Sequence, residues 1–396
     1  MQLVRTGAVI TVRLQKDLLR SILRGHCWLF SDAIDLPAAP SGSVARIQTR
    51  SGDIIASGIY CREHPLALRI CSTQAPFHLD DDWLTGRLEA AIRLRQSLFR
   101  NNTTGWRLVA GEGDGVPGLI VDLYDDTAVI KLDGGAPEDF YQPQAIAQWL
   151  SHRLNLSMVV HRQRGRGTRG DALVGQLPSK PIHFLENGLL FEADVVQGQK
   201  TGFFLDQRDN RALVRRLSQG RRVLNLFSFN GGFSMAAGMG DAEHVTSVDV
   251  AQQAIHSANA LWVLNGLSPE RHQGVVADAF DFLQQAAKQK QRWSLVICDP
   301  PSFAPNQQAL SSAASAYAKL AQLTAAVVEP GGLLALASCS SHMSSGQFTQ
   351  ANLEGLGRAH RSARLICQRG LPADHPTPLA MPELRYLKFQ LLQLDG

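Results

Sequence analysis

From about residue 187 onward, short and almost continuously apolar runs alternate with stretches of helical periodicity. That alternation is what a parallel sheet with helices on both faces writes into a sequence. Buried parallel strands lose the in–out pattern of a half-exposed sheet because both faces are covered. Runs at 222–227, 244–249, 272–276, 293–299 and 332–338 fit such strands, and 233–239, 251–265, 280–289, 309–328 and 345–358 fit the intervening helices. Two more strands are expected at 364–370 and 384–394. The expected fold class is α/β, a Rossmann-like doubly wound sheet over 189–396.

Ligands of open α/β sheets sit outside the carboxyl ends of the strands, where the strand order reverses. The first run, ending in Asn225-Leu226-Phe227, leads directly into Ser228-Phe229-Asn230-Gly231-Gly232-Phe233. Gly231 and Gly232 allow a ligand to approach the backbone closely. The spacing is not the G-x-G-x-x-G of a dinucleotide enzyme. The second run ends at Asp249, whose carboxylate can accept both ribose hydroxyls of a nucleoside. The third ends at Asp278-Ala279-Phe280, which suits an adenine amino group and the face of its ring. The fourth ends at Asp299-Pro300-Pro301-Ser302-Phe303. Any one of these aspartates could simply cap the helix that follows it; a string of strand ends in this order is much harder to obtain by chance.

The preceding half divides into two expected parts. Residues 1–75 hold a short helix at 17–24 and strands at 44–50, 54–60 and 67–71, with Ser51-Gly52-Asp53 as a hairpin turn. Residues 76–188 read as a small α+β domain. It opens with a helix at 83–101 carrying arginines 87, 93, 95 and 100 on its polar side, and continues into a tight loop at 111–118. The six cysteines are scattered without a C-x-x-C pair, so neither a disulfide framework nor a metal site is expected. No secretory leader or membrane-length apolar run is evident, so a cytoplasmic protein without membrane association is expected. A net charge of +4 permits a polyanionic partner without demanding one.

On these motifs the chain resembles the class I S-adenosylmethionine methyltransferases. More closely, it resembles the bacterial 23S rRNA cytosine-5 methyltransferase (RlmI-like) family. The resemblance runs over essentially the whole sequence and is carried by 198–208 (GQKTGFFLDQR), 225–233 (NLFSFNGGF) and 299–303 (DPPSF), with 22–30 (ILRGHCWLF) resembling the opening of that family's PUA domain. It implies a PUA-like RNA-binding module at 1–75 and S-adenosylmethionine as cofactor. Phe204, Asp206 and Arg208 would flank the methionine end. Phe227, Asp249, Asp278 and Ala279 would line the nucleoside, with Ser228, Asn230 and Gly231 in the connecting loop.

Carbon 5 of a pyrimidine is a poor nucleophile. A thiolate adding to C6 converts the ring into an enamine-like species able to attack a sulfonium methyl, while an acid protonates N3 and a base later removes the C5 proton. Cys339, in Ser338-Cys339-Ser340, falls where the fifth strand ends beside the fourth, as a nucleophile should. Asp299 would be the N3 partner and would also touch the cofactor. A small buried thiol is the plainer reading of any cysteine, and Cys298, inside an apolar run, is expected in the core. The family's wider group carries a second cysteine after the fourth strand, where this chain has Pro301 and Ser302. The C5 base is left among Lys319, His342 and water.

Arginines 162, 164, 166 and 169 in an Arg/Gly loop could pair with RNA phosphates. The expected partner is large-subunit rRNA, with the oligomeric state open and a homodimer possible. Two rival readings stand beside this one. The Asp-Pro-Pro-Ser-Phe tip also resembles that of guanine-N7 rRNA methyltransferases, which need no thiol. A non-catalytic RNA-binding assembly factor could also retain the fold.

Overall fold

The computed structural model describes residues 2–5, 7, 9–163, 165, 169–304 and 306–395. By its internal contacts the chain forms two compact units. The first comprises 1–188, 192–205 and 373–382; the second comprises 189–191, 206–372 and 383–396.

The first unit holds two five-stranded sheets. In one, Ser43–Gln48 pairs with Ile54–Tyr60 across the expected turn, and Ile54–Tyr60 pairs in turn with Leu68–Ser72. In the other, Gly105–Ala110, Leu119–Tyr124 and Thr127–Leu132 form a meander, and Met158–Arg162 adds in parallel. The parts expected at 1–75 and 76–188 share one core. Val44, Ile59 and Cys71 of the first sheet pack in the same apolar cluster as Leu84, Leu88 and Ile92 of the helix Asp81–Leu98 and Val121 and Ile130 of the second sheet. Arg95 was expected on the polar side of that helix. It is instead fully buried, with both terminal nitrogens on the Asp114 carboxylate at 2.6 and 2.8 Å and a further bond to the Asp374 carbonyl. A buried charge is tolerated because every nitrogen meets an acceptor.

The second unit is the expected doubly wound sheet. We label its elements in chain order: α1 (Arg208–Leu217), β1 (Arg222–Leu226), α2 (Gly232–Gly238), β2 (His244–Asp249), α3 (Gln252–Leu264), β3 (His272–Val276), α4 (Ala279–Lys288), β4 (Trp293–Cys298), α5 (Leu310–Val327), β5 (Val328–Ser338), α6 (Ser345–Arg358), β6 (Ala363–Arg369) and β7 (Lys388–Leu394). The spatial order is β3-β2-β1-β4-β5-β7-β6. β1 to β5 pair in parallel, and β7 runs antiparallel between β5 and β6. Successive residues of each strand feed opposite cores. Val223, Leu295, Ile297 and Ala335 meet α1, α2 and α3, whereas Leu224, Val296, Cys298 and Leu336 meet α4, α5 and α6. Cys298 is core, as expected, and burial raises its thiol far above the usual range.

Candidate functional site

Register brings the strand ends to one edge. Leu226 of β1 lies opposite Val248 of β2 and Cys298 of β4, so Phe227, Asp249 and Asp299 emerge side by side where the strand order reverses. Cys298 in turn lies opposite Leu336 of β5, and the thiol of Cys339 follows just beyond that strand. Among the described residues no cluster of His, Cys, Asp or Glu could hold a metal ion, and no helix is long and apolar enough to cross a membrane.

Chain geometry between β1 and α2 is forced. Phe227 and Phe229 adopt left-handed φ values of 56° and 47°, and Gly231 has φ 81°. A Cβ on Gly231 would lie 2.8 Å from the Cβ of Ala258, so only glycine fits. Asp249 holds this loop: one carboxylate oxygen accepts the Phe229 amide and the other the Ala251 amide, both at 2.9 Å. Each carboxylate oxygen retains a second lone-pair site for a ribose hydroxyl. Ser228 lies buried in the same loop, and its hydroxyl has no partner among the described residues. A built loop with an orphan hydroxyl and a half-exposed acidic acceptor fits a nucleoside. Asn230, half-buried, completes the turn.

Asp278 caps α4, its Oδ1 accepting the amides of Phe280 and Asp281 at 2.8 and 3.2 Å. The plain capping role is therefore present. The Asp278 side chain is exposed, which leaves Oδ2 open to solvent or a ligand. Ala279 is buried beside it. Behind β1 runs a polar chain. Asn225 donates to the Ser234 hydroxyl at 2.9 Å, Ser234 meets the Ser247 hydroxyl at 2.6 Å, and Ser247 meets His272 Nε2 at 2.7 Å. The His272 ring stacks on Trp262, and burial, aided by nearby His244, pushes its pKa down to about 4.

The reactive edge joins the ends of β4 and β5. The Cys339 thiol is half-buried and lies 4.0 Å from the Pro300 carbonyl oxygen. Asp299 Oδ2 accepts the Gln207 amide at 2.8 Å, and Gln207 accepts from Asn210 at 2.6 Å. Ser340 ties the two loops together. Its hydroxyl meets that of Ser302 at 3.1 Å and that of Tyr317 at 2.9 Å, and accepts the Ala304 amide at 3.3 Å. Asp206 accepts the Tyr386 hydroxyl at 2.7 Å, and Arg208 is buried at the start of α1. Phe204 belongs to the first unit, half-buried, with the Lys200 ammonium 4.3 Å above its ring. Its neighbour Phe203 is plain core, edge-on to Phe184.

Several of these contributors carry no motif. Gln207 stands inside 198–208 but has no chemistry of its own to flag it. Ser340 neighbours the thiol and reads as filler. Tyr317 comes from a helix remote in sequence. Lys319 and His342, weighed as bases, are both exposed. Lys319 stands two residues after the buried Tyr317, so it points away from the face that carries the phenol.

The arginine loop requires a correction. Arg162 ends the strand Met158–Arg162 and is 8% exposed, donating to the carbonyls of Val195 at 3.4 Å and Gly198 at 2.8 Å. A guanidinium held by backbone carbonyls inside the first unit is not available to phosphate. Arg169 is exposed. Arg164 and Arg166 lie outside the described residues.

A 3-2-1-4-5-7-6 sheet with a glycine loop after β1 and a ribose-type acid after β2 defines the class I, Rossmann-like methyltransferases. Residues 138–377 match the family model described as S-adenosylmethionine-dependent methyltransferase, and residues 12–73 match a PUA-like domain. A ribosomal RNA large subunit methyltransferase of Deinococcus radiodurans is 37% identical, covering 98% of this chain and 98% of its own. The ribosomal RNA large subunit methyltransferase I of Photobacterium profundum is 34% identical over 96% and 98% respectively. A solved chain described as a SAM-dependent methyltransferase from Streptococcus mutans shares the fold, with a TM-score of 0.85 at 23% identity, covering 97% of this chain and all (100%) of that one. The chain therefore belongs to the S-adenosylmethionine-dependent methyltransferase family that includes the ribosomal RNA large subunit methyltransferases I, and its cofactor is S-adenosylmethionine.

Proposed function

We propose that the protein methylates carbon 5 of a cytosine in large-subunit rRNA, in the cytoplasm, with Cys339 as nucleophile and Asp299 as the N3 partner. An RNA substrate of this kind is supported by the names of relatives matched over nearly their whole length and by the PUA-like segment. The observation that carries the cytosine-C5 reading is the placement of the thiol. Cys339 is half-exposed beyond β5, its thiol 4.0 Å from the carbonyl oxygen of Pro300, the residue that follows Asp299.

Residues of the β1–α2 loop and the strand tips would hold the cofactor: Asp249 at the ribose, Asp278 and Ala279 at the adenine, and Phe227, Ser228, Asn230 and Gly231 along the loop. Phe204, Asp206 and Arg208 would flank the methionine end. When bound, the cofactor supplies an electrophilic methyl group. In the protein's own part, the Cys339 thiolate adds to C6 while Asp299, in its protonated form, gives N3 a proton, which leaves C5 electron-rich. Gln207 fixes the Asp299 carboxyl group and so its direction towards the base. After C5 has gained the methyl group, a water molecule takes the C5 proton, the electron pair re-forms the C5–C6 double bond as the thiolate leaves, and N3 returns its proton to Asp299. Arg169, exposed in the Arg/Gly loop, would meet phosphate.

Replacing Cys339 by Ala and assaying methyl transfer to large-subunit rRNA tests the reading. Loss of methylation with cofactor binding intact is expected. Full activity would overturn the thiol mechanism in favour of transfer to a guanine nitrogen. A protein with no cofactor binding and no transfer before substitution would be an assembly factor.

A further inference from the structure

A lysine contributed by the reversed strand lies beside the reactive thiol. In the β5–β7 ladder Ser338 pairs with Lys388, the first residue of β7. Only 5% of Lys388 is exposed, and its ammonium donates to the Ser340 carbonyl at 2.5 Å and to the Tyr386 carbonyl at 2.8 Å. The carbonyls on either side of the buried ammonium are neutral acceptors. Among the described residues the bonds of this buried cation go to neutral carbonyls, and a buried cation gains from a nearby anion. Residue 339 lies between Ser338, paired with Lys388 in the ladder, and Ser340, bonded to its ammonium.

We propose that Lys388 is a positioning residue for the nucleophile: it fixes the 338–340 turn through the Ser340 carbonyl and serves as the counter-cation of the Cys339 thiolate. The inference rests on Cys339 being the nucleophile and deepens that reading. Forming the thiolate releases the thiol proton to solvent. The resulting anion then shares the lysine's low-dielectric surroundings, where an opposite charge at short range is worth more than in water. Burial lowers the lysine's pKa to about 8, and attraction to Cys339 opposes that fall. Of the described titratable groups near the turn, His342 lies two residues beyond Ser340 and is exposed to solvent. Tyr317 of α5 reaches the turn through the Ser340 hydroxyl, and burial raises its pKa, so it stays neutral. Asp299, beyond β4, is neutral while it holds the proton it gives to N3, so it supplies no positive charge to the turn.

Alkylation by iodoacetamide across a pH series, followed at the Cys339 peptide by mass spectrometry, reads the thiolate directly and does not depend on turnover. The midpoint reports the thiol pKa; the high-pH plateau reports access. Lys388→Met should raise the midpoint by about one pH unit or more, and Lys388→Arg should restore most of the shift. An unmoved midpoint in a Lys388→Met protein that still binds cofactor would overturn the proposal. So would an arginine variant that behaves like the methionine one. Should Lys388→Met not fold, the reciprocal measurement remains. NMR titration of the Lys388 side chain in Cys339→Ser should show a lower midpoint than in the parent, and an identical midpoint would refute the pairing. Because alkylation needs no RNA, failure here is distinguishable from failure of the cytosine-C5 reading.

Discussion

Replacing Ser340 by Ala removes one hydroxyl that meets three partners in a fully buried position. The Ala304 amide is left buried without that acceptor. Tyr317 retains an interaction with Ser338, so its loss is partial. Counting one orphaned buried donor and the net value of two weaker bonds gives a destabilisation of about 2 kcal/mol. In a unit of this size that corresponds to a fall in Tm of roughly 4–8 °C. The same hydroxyl couples the Asp299–Phe303 loop to the Cys339 turn, so kcat should fall by about tenfold or more through misplacement of the two reacting groups. Asp249 and its loop do not touch Ser340, so cofactor affinity should stay at the parental value. Calorimetry, isothermal titration with S-adenosylhomocysteine and single-turnover methylation provide the three readings. A variant with parental Tm and parental kcat would refute the view that Ser340 joins the loops; a loss of cofactor binding alone would refute the separation of the two halves of the site.

Three further outcomes are expected. Asp249→Ala should weaken cofactor binding about a hundredfold by removing charge-assisted ribose acceptors and the anchor of the 227–231 loop, which calorimetry measures; parental affinity would contradict the assignment. Arg169→Ala should weaken RNA binding and reduce the slope of log affinity against log salt by about 0.7–0.9, whereas Arg162→Ala should leave that slope unchanged and lower the Tm instead; the reverse pattern would restore the phosphate role to Arg162. The His272 pKa is depressed in the folded state, so the unfolded chain binds the proton first as pH falls. Stability should therefore be complete above about pH 6.5 and decline to about pH 4, by at most about 3 kcal/mol. His272→Gln should flatten that part of the Tm–pH curve, and an unchanged curve would place the acid sensitivity elsewhere.

How much of this was legible in the amino-acid sequence depended on range. Strands β1, β2 and β4 are buried on both faces, so Leu295–Cys298 reads as a continuous apolar run and Val223–Leu226 and Val245–Val248 as short runs broken only by Asn225, Thr246 and Ser247, and the residues just past them could be named as the site's edge. The backbone demand at Gly231 and the acid at Asp249 were likewise local. What escaped the reading is set by long-range partnering. Arg95 and Arg162 look like surface charges until the acceptors that bury them are found, and those lie at Asp374, Val195 and Gly198. Asp374 itself returns to the first unit from a segment between β6 and β7. Lys388 comes beside Ser340 only because β7 runs antiparallel to β5, a pairing that periodicity does not specify.

The most direct test of the central claim uses a large-subunit rRNA transcript in which cytidines are replaced by 5-fluorocytidine. Fluorine at C5 cannot leave as a cation, so after methyl transfer the bond between sulfur and C6 should persist. The expected product is a denaturant-stable RNA–protein adduct, mapped by mass spectrometry to Cys339 and absent in Cys339→Ala. Methylation of the ordinary transcript without any adduct on the fluorinated one, or an adduct that survives loss of Cys339, would contradict it.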